Sequence, residues 1–210
     1  MNFRHLRRIA FISLLLAAQT HGAEVAVKSG IIKGTITVAG KPTADAVVLL
    51  LDVPAGESVK ARIAPIKGQK AVMDQKEMKF IPHVLAVRVG TTVEFPNHDT
   101  SWHNVYSKGG ANDFDLGLYP PGKTRSTTFA KPGVARILCN VHPNMEAFIV
   151  VTQQSFFSNA DTEGNYRMDG VPLGKYRIQV WHPQLGTTET GVELVRAGQV
   201  LDLNFDLKKK

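Results

Sequence analysis

Short runs in which apolar and polar residues alternate, each closed by Gly, Pro, Asn or Asp, recur along this chain from about residue 30 to its end. A period of two puts successive side chains on opposite faces of a strand. In the middle of the chain the pattern predicts strands over 84–89, 92–95, 103–107, 124–129, 135–139 and 147–151. Gly90, Pro96-Asn97, Pro120-Pro121-Gly122 and Pro132-Gly133 punctuate them. Beyond residue 23 no stretch carries the 3.6-residue period of an amphipathic helix, so the predicted fold class is all-β, built as sandwiches. The length allows two small domains.

Residues 1–23 break that pattern. Arg4, Arg7 and Arg8 precede an apolar run over 9–18, and Ala23 offers a small residue for cleavage, which reads as an export signal with maturation near Glu24. The run is too short to span a bilayer, and no other stretch is long enough, so no transmembrane anchor is expected. An ordinary secretory signal accounts for Arg7-Arg8 better than a twin-arginine signal does. The expected location is periplasmic or secreted.

Removing residues 1–23 takes away three arginines and no acid, which lowers the formal charge from +7 to +4. The remaining basic residues are scattered among Thr, Gly and Pro rather than interleaved with aromatics, and Lys208-Lys209-Lys210 reads as a solvated tail, so no nucleic-acid partner is expected. Lys108, Lys123, Arg125 and Lys131 would favour an acidic protein partner.

Cys139 is the single cysteine, and an exported chain with one thiol cannot close an internal disulfide. It stands in Cys139-Asn140-Val141-His142-Pro143-Asn144-Met145, and His103 stands upstream in His103-Asn104-Val105. A thiolate and two imidazoles with a weak axial thioether form the ligand set of a blue-copper electron-transfer site. The predicted ligands of one type 1 copper per chain are therefore His103, Cys139, His142 and Met145. On a strand, Ala135, Ile137 and Cys139 share an inward face while Arg136 and Leu138 point away, and His103 shares a face with Val105. Asn140, Pro143 and Asn144 form a short turn between the ligands. Asn104 and Asn140, each following a ligand, are placed to bond across the two loops and steady the sulfur. Pro143 would restrict the loop and leave the His142 edge near the surface as the electron's exit.

Each residue alone has a plainer explanation: a buried thiol as a small hydrophobe, Met145 as core packing, His103 as a hydrogen-bonded strand residue. It is the combination in the order His, Cys, His, Met that points to copper, and the thioether disfavours structural zinc. His98 reads as a surface residue rather than a ligand of a second site. His83 has no partner evident in the sequence, and His182 reads as a strand end beside Trp181. Asp161, Glu163 and Asp169 lack calcium-loop spacing and read as tight-turn residues. No nucleophile elbow, His-Glu-x-x-His helix or phosphate loop is present, and seven histidines, two of them in residues 1–23, cannot furnish a trinuclear copper centre as well. The chain is read as a binding or carrier protein, not an enzyme.

Phe80-Ile81-Pro82, the run from Val89 to Phe95, Asn97, His103-Asn104-Val105, Pro132-Gly133 and the run from Cys139 to Met145 resemble the plastocyanin and azurin superfamily, the cupredoxins. The Cys-x2-His-x2-Met loop is similar to that of amicyanin, the partner of methylamine dehydrogenase. The resemblance covers about two-fifths of the chain and implies a Greek-key β-sandwich, a periplasmic electron shuttle with a protein donor and acceptor such as a dehydrogenase or a cytochrome c, and a link to methylamine utilisation. The flanks resemble a different module. Gly34 to Val38, Gly40-Lys41-Pro42 and Ala46 to Leu50, with Asp161 to Tyr166, Gly170 to Tyr176 and Val180-Trp181-His182, resemble the carboxypeptidase regulatory-like, transthyretin-like β-sandwich. The organisation expected is a signal over 1–23, first strands of that sandwich over 24–68, an inserted cupredoxin domain over 69–152 and the rest of the sandwich over 153–210. Two other functions remain open at this point: a non-redox copper-binding or copper-delivery protein, and an adhesion or carbohydrate-binding sandwich without metal.

Overall fold

The computed structural model describes residues 28–54 and 68–209; the expected signal over 1–23 and its cleavage point lie outside the described residues. Among the described residues every regular element is a strand. In chain order these are β1 (Ser29–Val38), β2 (Lys41–Pro42), β3 (Val47–Leu51), β4 (Lys70–Val72), β5 (Asp74–Lys76), β6 (Lys79–Ile81), β7 (Val84–Arg88), β8 (Thr92–Pro96), β9 (His103–Ser107) and β10 (Phe114–Tyr119). They continue with β11 (Thr124–Thr128), β12 (Gly133–Leu138), β13 (Glu146–Thr152), β14 (Phe157–Asn159), β15 (Asn165–Pro172), β16 (Gly174–His182), β17 (Gly186–Leu194), β18 (Val200–Asp202) and β19 (Phe205–Leu207). The all-β expectation holds.

The middle of the chain forms one sandwich. A sheet in the order β10-β9-β12-β13-β7 is joined to a sheet β11-β8-β4 by a core that includes Val93, Phe95, Val105, Phe129, Ile137 and Ile149. β12 and β13 pair antiparallel from Gly133↔Val151 to Leu138↔Glu146, while β13 and β7 run parallel. The six strands expected here are present, with ends shifted by at most two residues. β10 was not expected, because Asp115 and Gly117 break its alternation; the register against β9 slips between Asp115 and Leu118, with Gly117 at φ 66°.

Both ends of the chain supply the second sandwich. β1 pairs with β15, β18, β19 and β2, and the facing sheet runs β14-β3-β16-β17. Its core includes Ile32, Ile36, Val48, Leu50, Tyr166, Ile178 and Val180. Close approach explains one glycine: a Cβ on Gly34 would lie 1.9 Å from the Leu203 carbonyl oxygen, so only glycine admits the chain turn between β18 and β19 beside β1.

The two sandwiches pack face to face. β3 reads Val-Val-Leu-Leu-Leu without alternation because both its faces are covered: Val48 and Leu50 enter the outer core, while Val47 and Leu49 meet Val84, Ala86 and Val150 of β7 and β13. Phe148 and Trp181 close this junction edge to face at 5.7 Å between ring centroids. The Ala86 N–H donates to Asn159 Oδ1 at 2.7 Å across the same seam.

Candidate metal centre

His103 opens β9 and Cys139 directly follows β12, neighbouring antiparallel strands paired at Leu138↔Tyr106. Continuing that register by one more pair on the same face sets Asn140 opposite Asn104, so the strand ends carry His103 to the loop after β12. In that loop the Met145 N–H donates to the His142 carbonyl at 2.9 Å, a four-residue turn with Pro143 in its second position. The turn returns the chain into β13. Ala135, Ile137 and Cys139 are buried while Arg136 is exposed, so the thiol arrives from the apolar side of the strand.

Three donor atoms converge there. His103 Nδ1 and His142 Nδ1 are 3.1 Å apart, and Cys139 Sγ lies 3.9 Å from the first and 4.0 Å from the second. Among the described residues this is the one group of three or more His, Cys, Asp or Glu side chains with ligand atoms close enough to hold a metal ion. Metal bonds of about 2.0–2.3 Å to nitrogen and sulfur place neighbouring donors roughly 3–4 Å apart, so the triangle fits an ion. A thiolate with two imidazoles selects a softer ion such as copper over calcium or magnesium. Met145 is buried at 1% exposure in the same core as Cys139. His103 is fully buried, whereas His142 is half-buried between exposed Val141 and exposed Pro143.

The surroundings of His103 include an acid that the sequence reading missed. Asp99 Oδ2 accepts from His103 Nε2 at 3.0 Å and from the Met78 N–H at 2.6 Å, and Asp99 Oδ1 accepts from the Thr100 N–H at 2.7 Å. These backbone donors, Met78 first, hold the Asp99 carboxyl down at about 2, with His103 adding to the effect. The carboxylate is ionised at any ordinary pH and can only accept. His103 Nε2 is therefore the donor in its bond to Asp99, and Nδ1 is the ring nitrogen that faces Cys139 and His142. The sole sequence signal for Asp99 is its place four residues before His103 in a turn.

Asn104 spans the two loops: its Oδ1 accepts the Asn140 backbone N–H at 3.4 Å, and its Nδ2 donates to Asp115 at 2.7 Å. The cross-loop bond uses the main chain of Asn140, whose side chain is exposed, rather than its amide group. Behind the site, Tyr119 pairs with His103 in register, donates to the Phe95 carbonyl at 2.9 Å and accepts from Gln75 Nε2 at 2.5 Å. Burial pushes its hydroxyl up to about 12, which keeps it a neutral structural wall.

The other described histidines lie apart from this cluster. His98 is exposed and 3.0 Å from Asp74; His83 meets Asp45 at 2.9 Å; His182 ends β16, buried, and accepts from the Gln184 N–H at 3.2 Å. Asp161 Oδ1 accepts from the N–H groups of Glu163 and Asn165, a local turn.

Residues 67–152 match the family described as copper binding proteins, plastocyanin/azurin family. No curated protein matches the chain. Among solved structures, a copper-containing nitrite reductase from Thermus scotoductus SA-01 is 28% identical over 41% of this chain and 23% of its own length, with a TM-score of 0.39. This chain thus spans under a quarter of that reductase. A purple cupredoxin from Nitrosopumilus maritimus is 22% identical over 40% of this chain and 99% of its own, with a TM-score of 0.35. A reduced amicyanin variant is 24% identical over 50% of this chain and 98% of its own, with a TM-score of 0.38. The family match is confined to the middle sandwich.

Proposed function

We propose that this protein is a type 1 copper electron carrier, with His103, Cys139, His142 and Met145 as the ligands of a single copper. The observation that carries the reading is the triangle of His103 Nδ1, His142 Nδ1 and Cys139 Sγ within 4.0 Å of one another at the end of a sandwich. Copper held there supplies reversible one-electron exchange between its cuprous and cupric states. The chain's own part is to hold the donors still. His103 is hydrogen-bonded to Asp99, Cys139 follows a strand with one buried face, and the His142–Met145 turn is closed by its own hydrogen bond. Because the donors are held by sheet and turn, little rearrangement accompanies a change of charge. His142, half-buried beside exposed Val141 and Pro143, is the edge through which the electron leaves.

The domain reading goes with this one: a cupredoxin domain over 69–152 inserted into a sandwich made from 24–68 and 153–210, the latter resembling the carboxypeptidase regulatory-like module. The separation of the two apolar cores along the chain supports it. A signal peptide over 1–23 would deliver the protein to the periplasm or outside the cell, where its donor and acceptor would be redox proteins such as a dehydrogenase or a cytochrome c. The methylamine link rests on the loop spacing alone.

Voltammetry of the copper-loaded mature protein tests the carrier role. A reversible one-electron wave with copper retained against a mild chelator is expected; no wave, with copper passed readily to an acceptor, would favour delivery instead.

A further inference from the structure

We infer that Asp99 is a positioning residue for His103, a strut that fixes which imidazole nitrogen faces the metal site and where that ring sits. The inference rests on the reading of His103 as a ligand. The same oxygen, Asp99 Oδ2, accepts from His103 Nε2 and from the backbone N–H of Met78. Met78 belongs to the tight turn between β5 and β6, where Glu77 and Met78 both stand at φ 54°, a left-handed conformation that residues other than glycine adopt at a cost. Asp99 Oδ1 is held separately by the Thr100 N–H, and the Asp99 N–H itself donates to Asn97 Oδ1 at 3.1 Å. Asn97 is fully buried and donates to the Ser101 and Tyr119 carbonyls.

The carboxylate is thus tied on both oxygens to backbone that does not belong to β9, and it hands that rigidity to a ring whose own exposure is 0%. A carboxylate behind a ligating imidazole orients the ring and raises its basicity. Without Asp99 the His103 proton could sit on either nitrogen, and in the wrong tautomer Nδ1 would present N–H instead of a lone pair to the ion.

The test uses the full mature protein with Asp99→Ala and Asp99→Asn. In the metal-free state, nitrogen-15 correlation spectra of the His103 ring should show only the Nε2–H tautomer in the wild type and a mixture in Asp99→Ala, with Asp99→Asn, whose amide oxygen still accepts, close to wild type. Zinc alone, a redox-silent probe, should bind roughly 10- to 100-fold more weakly to Asp99→Ala, with a smaller loss in Asp99→Asn. A residue that only shaped the turn would lower stability without moving the tautomer. An unchanged His103 tautomer in Asp99→Ala overturns the inference. If Asp99→Ala does not fold, Asp99→Asn decides alone: a zinc affinity equal to wild type would contradict a role for the charge, and a several-fold loss with the tautomer preserved would support it. A wild-type protein that failed to bind copper would sink the carrier reading while the tautomer of His103 still judged Asp99.

Discussion

His83 Nδ1 lies 2.9 Å from Asp45 Oδ1, and the two residues belong to different sandwiches: His83 leads into β7 of the copper-binding half, and Asp45 leads into β3 of the other. The hydrogen bond to Asp45 raises the His83 pKa above its usual range, against burial, with Glu146 adding to the rise. The same bond lowers Asp45, helped by the charges of His83 and His182. His182 moves the other way, pushed down chiefly by burial and further by His83, with Asp45 opposing.

The signs give a pH prediction. A raised His83 contributes stability that is complete below its unfolded value near 6.5 and lost as pH rises through its folded value; a lowered Asp45 contributes above its unfolded value near 3.8 and loses that contribution in stronger acid. The clasp is therefore strongest between roughly pH 4 and 6.5. His182 works against it, since its lowered value means that stability falls as pH drops below the unfolded value near 6.5. Both members of the clasp are more than a third exposed, so the effect is modest, about 0.5 kcal/mol. Melting curves of His83→Gln against wild type should show the larger gap at pH 5.5 and a vanishing one at pH 8.5, while His182→Gln should show the opposite trend. A gap for His83→Gln that grew with pH would refute the assignment.

The turn at Glu77-Met78 can be relieved. Both residues occupy the left-handed region that Asn-Gly fills readily in two-residue hairpins. Replacing Glu77 by Asn and Met78 by Gly together keeps the N–H that reaches Asp99 and should raise stability by about 1–2 kcal/mol, read as a higher denaturant midpoint. Equal or lower stability would mean that these side chains contribute contacts that outweigh their backbone cost.

Leu49 tests the junction between the sandwiches. It is 8% exposed and packs with Val84, Ala86 and Val150. Leu49→Ala should cost about 2–4 kcal/mol, and the single calorimetric transition expected of the wild type should broaden or split as the halves lose their coupling. Two separate transitions in the wild type itself would show that the seam does not bind the halves into one cooperative unit.

Cys139→Ser should leave the fold intact, because the side chain shrinks only slightly at a site bordered by His103 and His142, and should remove any copper-thiolate colour. Near-ultraviolet circular dichroism and the visible spectrum of the same sample separate the two effects. A variant that kept the colour would exclude Cys139 as a ligand.

The convergence of Cys139 and His142 was legible because it is local: the two lie three residues apart, and the single thiol of the chain calls for an explanation. The approach of Cys139 from the apolar side followed from strand alternation, which β12 obeys; in β9 Asn104 is buried along with His103 and Val105. What could not be read depended on tertiary approach. Asp99 looks like an ordinary turn acid until β5 and β6 bring the Met78 N–H to it. His83 and Asp45 each sit in a connection, and only the docking of two sheets makes them partners. β10 escaped because its bulge at Asp115 to Leu118 destroys the period on which strand recognition depends.

The most direct test of a type 1 copper centre is the visible absorption spectrum of the purified protein after addition of Cu(II) and removal of excess metal. An intense band at about 600 nm from a copper-thiolate bond, bleached by ascorbate and restored on reoxidation, is the expected result. A folded protein that retained no copper, or held it without such a band, would contradict a type 1 centre at His103, Cys139, His142 and Met145.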